Sequence, residues 1–186
     1  NRREKIRVSG KFLISLDFEL YWGQFDQVAL SDYDKNIDGV HKVVPKLLSM
    51  FEKYGIKATW AIVGAILCNN KEELIEKFPK IKPDYINESL SVSKYIDTHK
   101  KLDSKYHFCP ELVELLKSYN NQEIASHTFS HYYVNEEGQT LESFEADCEA
   151  QQEIFRLNGY KLPSSIIFPR NQINEKYVNL LNKYKI

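Results

Sequence analysis

Four short apolar runs alternate with stretches of helical period, and this alternation limits the chain to few architectures. Lys11-Phe-Leu-Ile-Ser-Leu-Asp17, Lys57-Ala-Thr-Trp-Ala-Ile-Val63, Gln122-Glu-Ile-Ala-Ser126 and Ser165-Ile-Ile-Phe168 have the length and composition of buried strands. Between the first two, Val40, Val44, Leu47, Leu48 and Phe51 recur at helical spacing. Pro45 is expected to kink that helix or start its main part, and Gly55 to stop it. A short helix is predicted over Lys71 to Phe78, another from Pro110 to about Tyr119, a long one capped by Thr140 to Leu157, and a last one capped by Asn174. Gln24 to Asn36 reads as turns, and residues 80–107 as a loop-rich excursion with one helix near Leu90 to Ile96. This order predicts an α/β fold with a mainly parallel sheet or barrel.

Composition removes several function classes. The 25 Lys+Arg balance 26 Asp+Glu, so the basic footprint of a nucleic-acid binder is missing, as is any reason to expect an anionic membrane partner. No apolar run approaches the roughly 20 residues of a membrane span; the longest, Ala58 to Cys68, is interrupted by Gly64. Cys68, Cys109 and Cys148 are odd in number and widely spaced, which predicts reduced core thiols rather than disulfides or a metal knuckle. A cytoplasmic setting is therefore the expectation, and a targeting segment preceding Asn1 is compatible with it.

Chemistry-bearing residues fall at the ends of the strands, where open sheets and barrels place their sites. Asp17 and Glu19 stand two apart at the end of the first run and face the same way, which is costly unless they share a cation or a proton. In His127-Thr-Phe-Ser-His131, just after the third run, imidazoles four apart in a helical turn can converge on one metal. Arg170 follows the fourth run as a fixed charge able to orient a carboxylate. A D-x-E pair arises by chance about once in such a chain and an H-x-x-x-H about 0.1 times, so the weight lies in their order at successive strand ends.

In that order, Phe12-Leu-Ile-Ser-Leu-Asp-Phe-Glu19, Ala58-Thr-Trp-Ala-Ile-Val-Gly64 and Ser126-His-Thr-Phe-Ser-His131 resemble the polysaccharide deacetylase family (NodB homology, carbohydrate esterase 4). The family's usual forms are T-F-D-D-G, A-T-F-F-V-V-G and H-[ST]-x-x-x-H, and the first motif here matches its D-x-E variant. The family's R-x-P-x motif is replaced by Pro169-Arg170-Asn-Gln172, in reversed order. The resemblance spans about residues 10 to 175 and implies a distorted (β/α) barrel.

It also implies a hydrolase that removes N-acetyl groups, or O-acetyl groups by the same chemistry, from a sugar or polysaccharide, with a role in surface polysaccharide synthesis. Glu19, His127 and His131 would hold one divalent metal, zinc by default, with Co2+, Ni2+ or Mn2+ as alternatives. Asp17 would act as general base, kept ionised and aimed by Arg170, and a backbone N–H near Tyr21 or Trp22 would stabilise the oxyanion. Tyr21 and Trp22 are expected to wall the sugar face and Tyr133 to line the cleft, while Trp60 belongs to the core. Two other readings are a metal-independent cyclic amide or ureide hydrolase of the same superfamily and a non-catalytic glycan-binding relative. No histidine follows His131, so the family's C-terminal general acid has no counterpart; His41, His99 and His107 are candidates by elimination. Four strands also fall short of a closed barrel, which typically takes about 250 residues. The expectation is a single domain, incomplete at its C-terminus, that binds metal but catalyses poorly.

Overall fold

The computed structural model describes residues 10–186; residues 1–9, which flank the start of the first apolar run, lie outside the described residues. Three parallel strands form the sheet: β1 (Ser15–Phe18), β2 (Ala58–Ile62) and β3 (Gln122–Ser126), in the order β1-β2-β3. Asp17 is paired with Ala61, and Ile62 with Ser126, so the C-terminal ends of the three strands are level. Right-handed crossover chemistry requires long connections between parallel strands, and helices supply them.

The first crossover is α1 (Leu30–Tyr54), which buries Ile37, Val44, Leu48 and Phe51. It begins well before the expected start near Val40, because Ile37 already belongs to its apolar stripe, and only the residues up to Ala29 form turns. Pro45 is accommodated inside it, and Gly55 ends it in the left-handed conformation (φ 64°). The second crossover holds α2 (Lys71–Lys77), α3 (Val92–Thr98), the single turn α4 (Ser104–His107) and α5 (Pro110–Lys117). After β3 come α6 (Leu141–Leu157), whose Thr140 forms a capping box with Ser143, and α7 (Glu175–Lys183), capped by Asn174.

Two expectations are corrected. The run Ser165–Phe168 makes a single parallel bridge, Ile166 to Ser126, rather than a strand. Pro163 and Pro169 bracket it, and proline cannot donate to a ladder. The sheet is accordingly open among the described residues, not a closed barrel. Lys11 to Ile14 also lie ahead of β1, with Phe12 (89%) and Leu13 (85%) exposed. The main core gathers Phe18, Trp60, Ile62, Leu48, Phe51 and Leu116 on the elements that hold the strand ends in place. Cys68, Cys109 and Cys148 are buried.

Candidate metal centre

Glu19 leaves β1 one residue past its end and is followed by a tight turn over Leu20–Gly23. That turn carries the Glu19 carboxylate across Gly23, where a Cβ would lie 1.8 Å from Glu19 Oε1. Only glycine leaves room for it. The two histidines come from the loop after β3, which is not helical: Thr128 (φ 63°) and His131 (φ 54°) are both left-handed. Such conformations are rare for side-chain-bearing residues and persist where the surroundings over-determine them. Here the surroundings are explicit. The His127 N–H donates to Ile62 O (2.9 Å), and the Gly64 and Ala65 N–H groups donate to the Thr128 and Phe129 carbonyls (3.0 Å each). Asp147, fully buried on α6, accepts from Phe129 N–H (2.6 Å), Ser130 N–H (3.1 Å) and the Ser130 hydroxyl.

These constraints bring the three side chains together. Glu19 Oε2 lies 3.2 Å from His127 Nε2 and 3.0 Å from His131 Nε2, and one ligand atom from each residue falls within 4.8 Å of the others. His127 Nδ1 lies 2.8 Å from Ile167 O; a carbonyl only accepts, so Nδ1 carries a proton, and the tautomer that binds a metal has its lone pair at Nε2. That Nε2 is buried without a hydrogen-bond partner despite its closeness to the carboxylate. Two lone pairs 3.2 Å apart repel unless a cation lies between them. Burial lowers the His131 pKa, against the opposing pull of Glu19, and so favours a neutral ligand. Two imidazoles and one carboxylate, with an orphaned nitrogen and a glycine-lined cradle, fit a divalent cation.

The group opens on a cavity of about 420 Å³ lined by Asp17, Glu19, Gly23, Gln24, Gln27, His131 and Arg170. Asp17 is exposed there and stands outside the three-ligand cluster. Several expected roles are corrected. Arg170 does not hold Asp17: its Nη2 donates to both carboxylate oxygens of Asp26 at 2.7 Å, because Arg170 and Asn171 form a left-handed turn (φ 52° and 53°) that aims the side chain elsewhere. Tyr21 and Trp22 form no sugar-facing wall. Both are buried, Trp22 completely, and its indole N–H donates to His107 O at 2.7 Å. The Trp22 backbone N–H is spent on Glu19 O (3.1 Å), which removes it as an oxyanion donor. Tyr133 is buried too, and its hydroxyl meets His131 Nδ1 at 3.0 Å instead of lining the cleft. Of the histidines considered as general acid, His107 is sealed in the core between Tyr95 Oη (2.9 Å) and Asp103 O (2.8 Å), and neither His41 nor His99 lines the cavity.

Sequence reasoning missed Asp26, Gly23 and Asp147. Asp26 sits in an aperiodic stretch and Asp147 on a helix that reads as simply amphipathic. Gly23 offered one usable signal, a glycine four residues after a candidate ligand.

A family model for polysaccharide deacetylases matches residues 27–186, and the chain belongs to that family. The matched segment contains both histidines and begins after Glu19, so the carboxylate of the cluster is placed by the fold. No curated protein matches the chain. Among solved structures, a de-N-acetylase from Aggregatibacter actinomycetemcomitans is similar in fold, with a TM-score of 0.50 at 14% identity over 92% of this chain. The chain spans 59% of the length of that protein.

Proposed function

We propose that this chain carries the metal-binding part of a hydrolase that removes N-acetyl groups from a carbohydrate, an N-acetylated sugar or polysaccharide. The observation that carries the reading is the convergence of Glu19, His127 and His131 beside a cavity that Asp17 also lines. These three residues would hold one divalent cation, with zinc the natural occupant of such a donor set and Co2+, Ni2+ and Mn2+ as competitors. When bound, the ion would supply Lewis acidity toward an acetyl carbonyl and lower the pKa of an attacking water.

The chain's own residues do the remaining work. Asp17 takes the proton of the attacking water, since it reaches the cavity without joining the ligand cluster and keeps its lone pairs free. His127 and His131 hold their Nε2 atoms toward Glu19 through hydrogen bonds made by the opposite ring nitrogens. Gln24 and Gln27, on the cavity wall, offer amides suited to sugar hydroxyls. A neutral glycan suits the near-balanced charge of the chain better than a polyanion does.

The test is release of acetate from N-acetylated and, in parallel, O-acetylated oligosaccharides. Activity should vanish on chelation, return with Zn2+ or Co2+, and be lost in His127→Ala. Turnover that survives both chelation and His127→Ala sinks the reading.

A further inference from the structure

Arg170 and Asp26 are joined where no motif pairs them, and the pair leads back to a ligand. The Asp26 side chain is only 1% exposed and receives the Arg170 guanidinium at 2.7 Å. It also accepts from Gln27 Nε2 at 2.8 Å. The guanidinium carbon in turn lies 4.7 Å from the centre of the Tyr133 ring, within the range of a cation–π contact. Tyr133 is held from its other end by Tyr85, whose hydroxyl accepts the Tyr133 backbone N–H at 2.9 Å. Its own hydroxyl then has one partner among the described residues, His131 Nδ1, at 3.0 Å.

We propose that Tyr133, clamped by the Arg170–Asp26 pair, is the positioning residue that fixes the ring and tautomer of His131. The inference rests on the metal reading above. For His131 Nε2 to offer a lone pair, the proton must reside on Nδ1, and Nδ1–H needs an acceptor in a buried site. The Tyr133 oxygen is that acceptor. His127 achieves the same end with a backbone carbonyl, which side-chain replacement cannot remove. His131 depends on a side chain, and that side chain depends on a guanidinium stacked on its ring. Two uncommon left-handed residues mark the ends of this chain of contacts, His131 itself and Arg170. Backbone strain at both ends is what a site needing one ring orientation would retain.

The test is cobalt binding by metal-free wild type, Tyr133→Phe, Arg170→Lys and Asp26→Asn, read from the visible ligand-field bands and beside the melting temperature of each metal-free protein. Tyr133→Phe keeps the ring and its stacking and loses only the acceptor. It should bind cobalt 10-fold or more weakly with altered bands, the outer-shell range for a ligand's partner, while melting within about 3 °C of wild type. Arg170→Lys keeps the charge without the planar stack and should show a smaller loss, about threefold, with the same band shift. Asp26→Asn should follow Arg170→Lys. If Tyr133→Phe melts early, the Arg170→Lys bands decide, because that variant leaves the phenol in place. Wild-type affinity and bands in both variants overturn the inference alone. Failure of wild type to bind cobalt overturns the metal reading and this inference with it.

Discussion

Gly23→Ala should abolish metal binding while leaving the metal-free fold intact. A Cβ at position 23 would lie 1.8 Å from Glu19 Oε1 and 2.0 Å from Glu19 Cδ. Nonbonded carbon contacts settle near 3.5 Å, so the carboxylate must retreat by roughly 1.5 Å. Metal–ligand distances tolerate about 0.2 Å, so Glu19 cannot stay a ligand together with the two imidazoles. Losing one of three ligands exceeds the 10–100-fold cost of losing an outer-shell partner, and a drop of at least about 100-fold in affinity is expected. The fold itself loses little, on the order of 1 kcal/mol, because what must move is the far end of a flexible side chain. The assay is thermal unfolding with and without Zn2+, backed by competition against a chromogenic chelator. At 100 times its dissociation constant a ligand stabilises by about 2.7 kcal/mol, which for a chain of this size raises the melting temperature by about 5–10 °C. Wild type should show that rise and Gly23→Ala should not. Gly39→Ala, on α1 with nothing within 4 Å of its added Cβ, serves as the control and should bind normally. A wild-type zinc shift in Gly23→Ala would refute the claim that this glycine cradles a ligand.

Three further outcomes follow from the same geometry. Asp17→Asn should keep metal affinity within about threefold of wild type and cut acetate release by roughly 100-fold or more, since the general base is separate from the ligands; weakened metal binding would count against that separation. Gly64→Ala would place a Cβ 2.1 Å from Gln151 Oε1, 2.7 Å from Phe129 Cδ2 and 3.1 Å from Phe129 Cα; the backbone of the histidine loop must shift, so stability should fall by about 1–3 kcal/mol and zinc binding with it, whereas intact binding would show the loop to be adjustable. Burial pushes the Asp147 carboxyl up to about 6 against its hydrogen bonds from Ser130 and Phe129. A carboxyl with a raised native pKa holds its proton more tightly when folded, so the metal-free protein should lose up to about 3 kcal/mol as pH rises from about 4 to 6, and none above that. Urea titrations of wild type and Asp147→Asn should diverge across that window; parallel curves would dismiss the assignment.

The fold was legible wherever hydrophobic period and punctuation agreed. Thr140, Pro110 and Asn174 start helices where their side chains or rings demand it, and Gln122 to Ser126 is a strand over its full predicted length. Reading failed where tertiary context decided. Ser165–Phe168 has the composition of a strand, but flanking prolines reduce it to one bridge. Phe12 and Leu13 look like core residues and are exposed. In the site, strand-end position and spacing singled out Asp17, Glu19, His127 and His131, and the family resemblance selected Glu19 with the two histidines, which the structure brings together. Partners could not: Asp26 and Arg170 are 144 residues apart, and a turn of unusual backbone conformation sends the guanidinium away from Asp17. Tyr21, Trp22 and Tyr133 show the same limit, since an aromatic beside a motif serves packing or ligand alignment as readily as substrate contact.

The bridge between Ser126 and Ile166 has a consequence for cooperativity. Ser126 N–H donates to Ser165 O and Ile167 N–H to Ser126 O, and the next carbonyl, that of Ile167, orients His127. If His127 is a metal ligand, seating of this segment and the alignment of that ligand are linked, and linkage makes the dependence mutual. On the metal reading, whatever loosens the segment would weaken the hold on an ion, and a bound ion would in turn favour the seated segment. Amide exchange at Ile167 should slow on adding Zn2+ by the factor through which unseating the segment weakens zinc binding. A single bridge beside a three-stranded sheet would thus act as a latch whose state metal binding reads out.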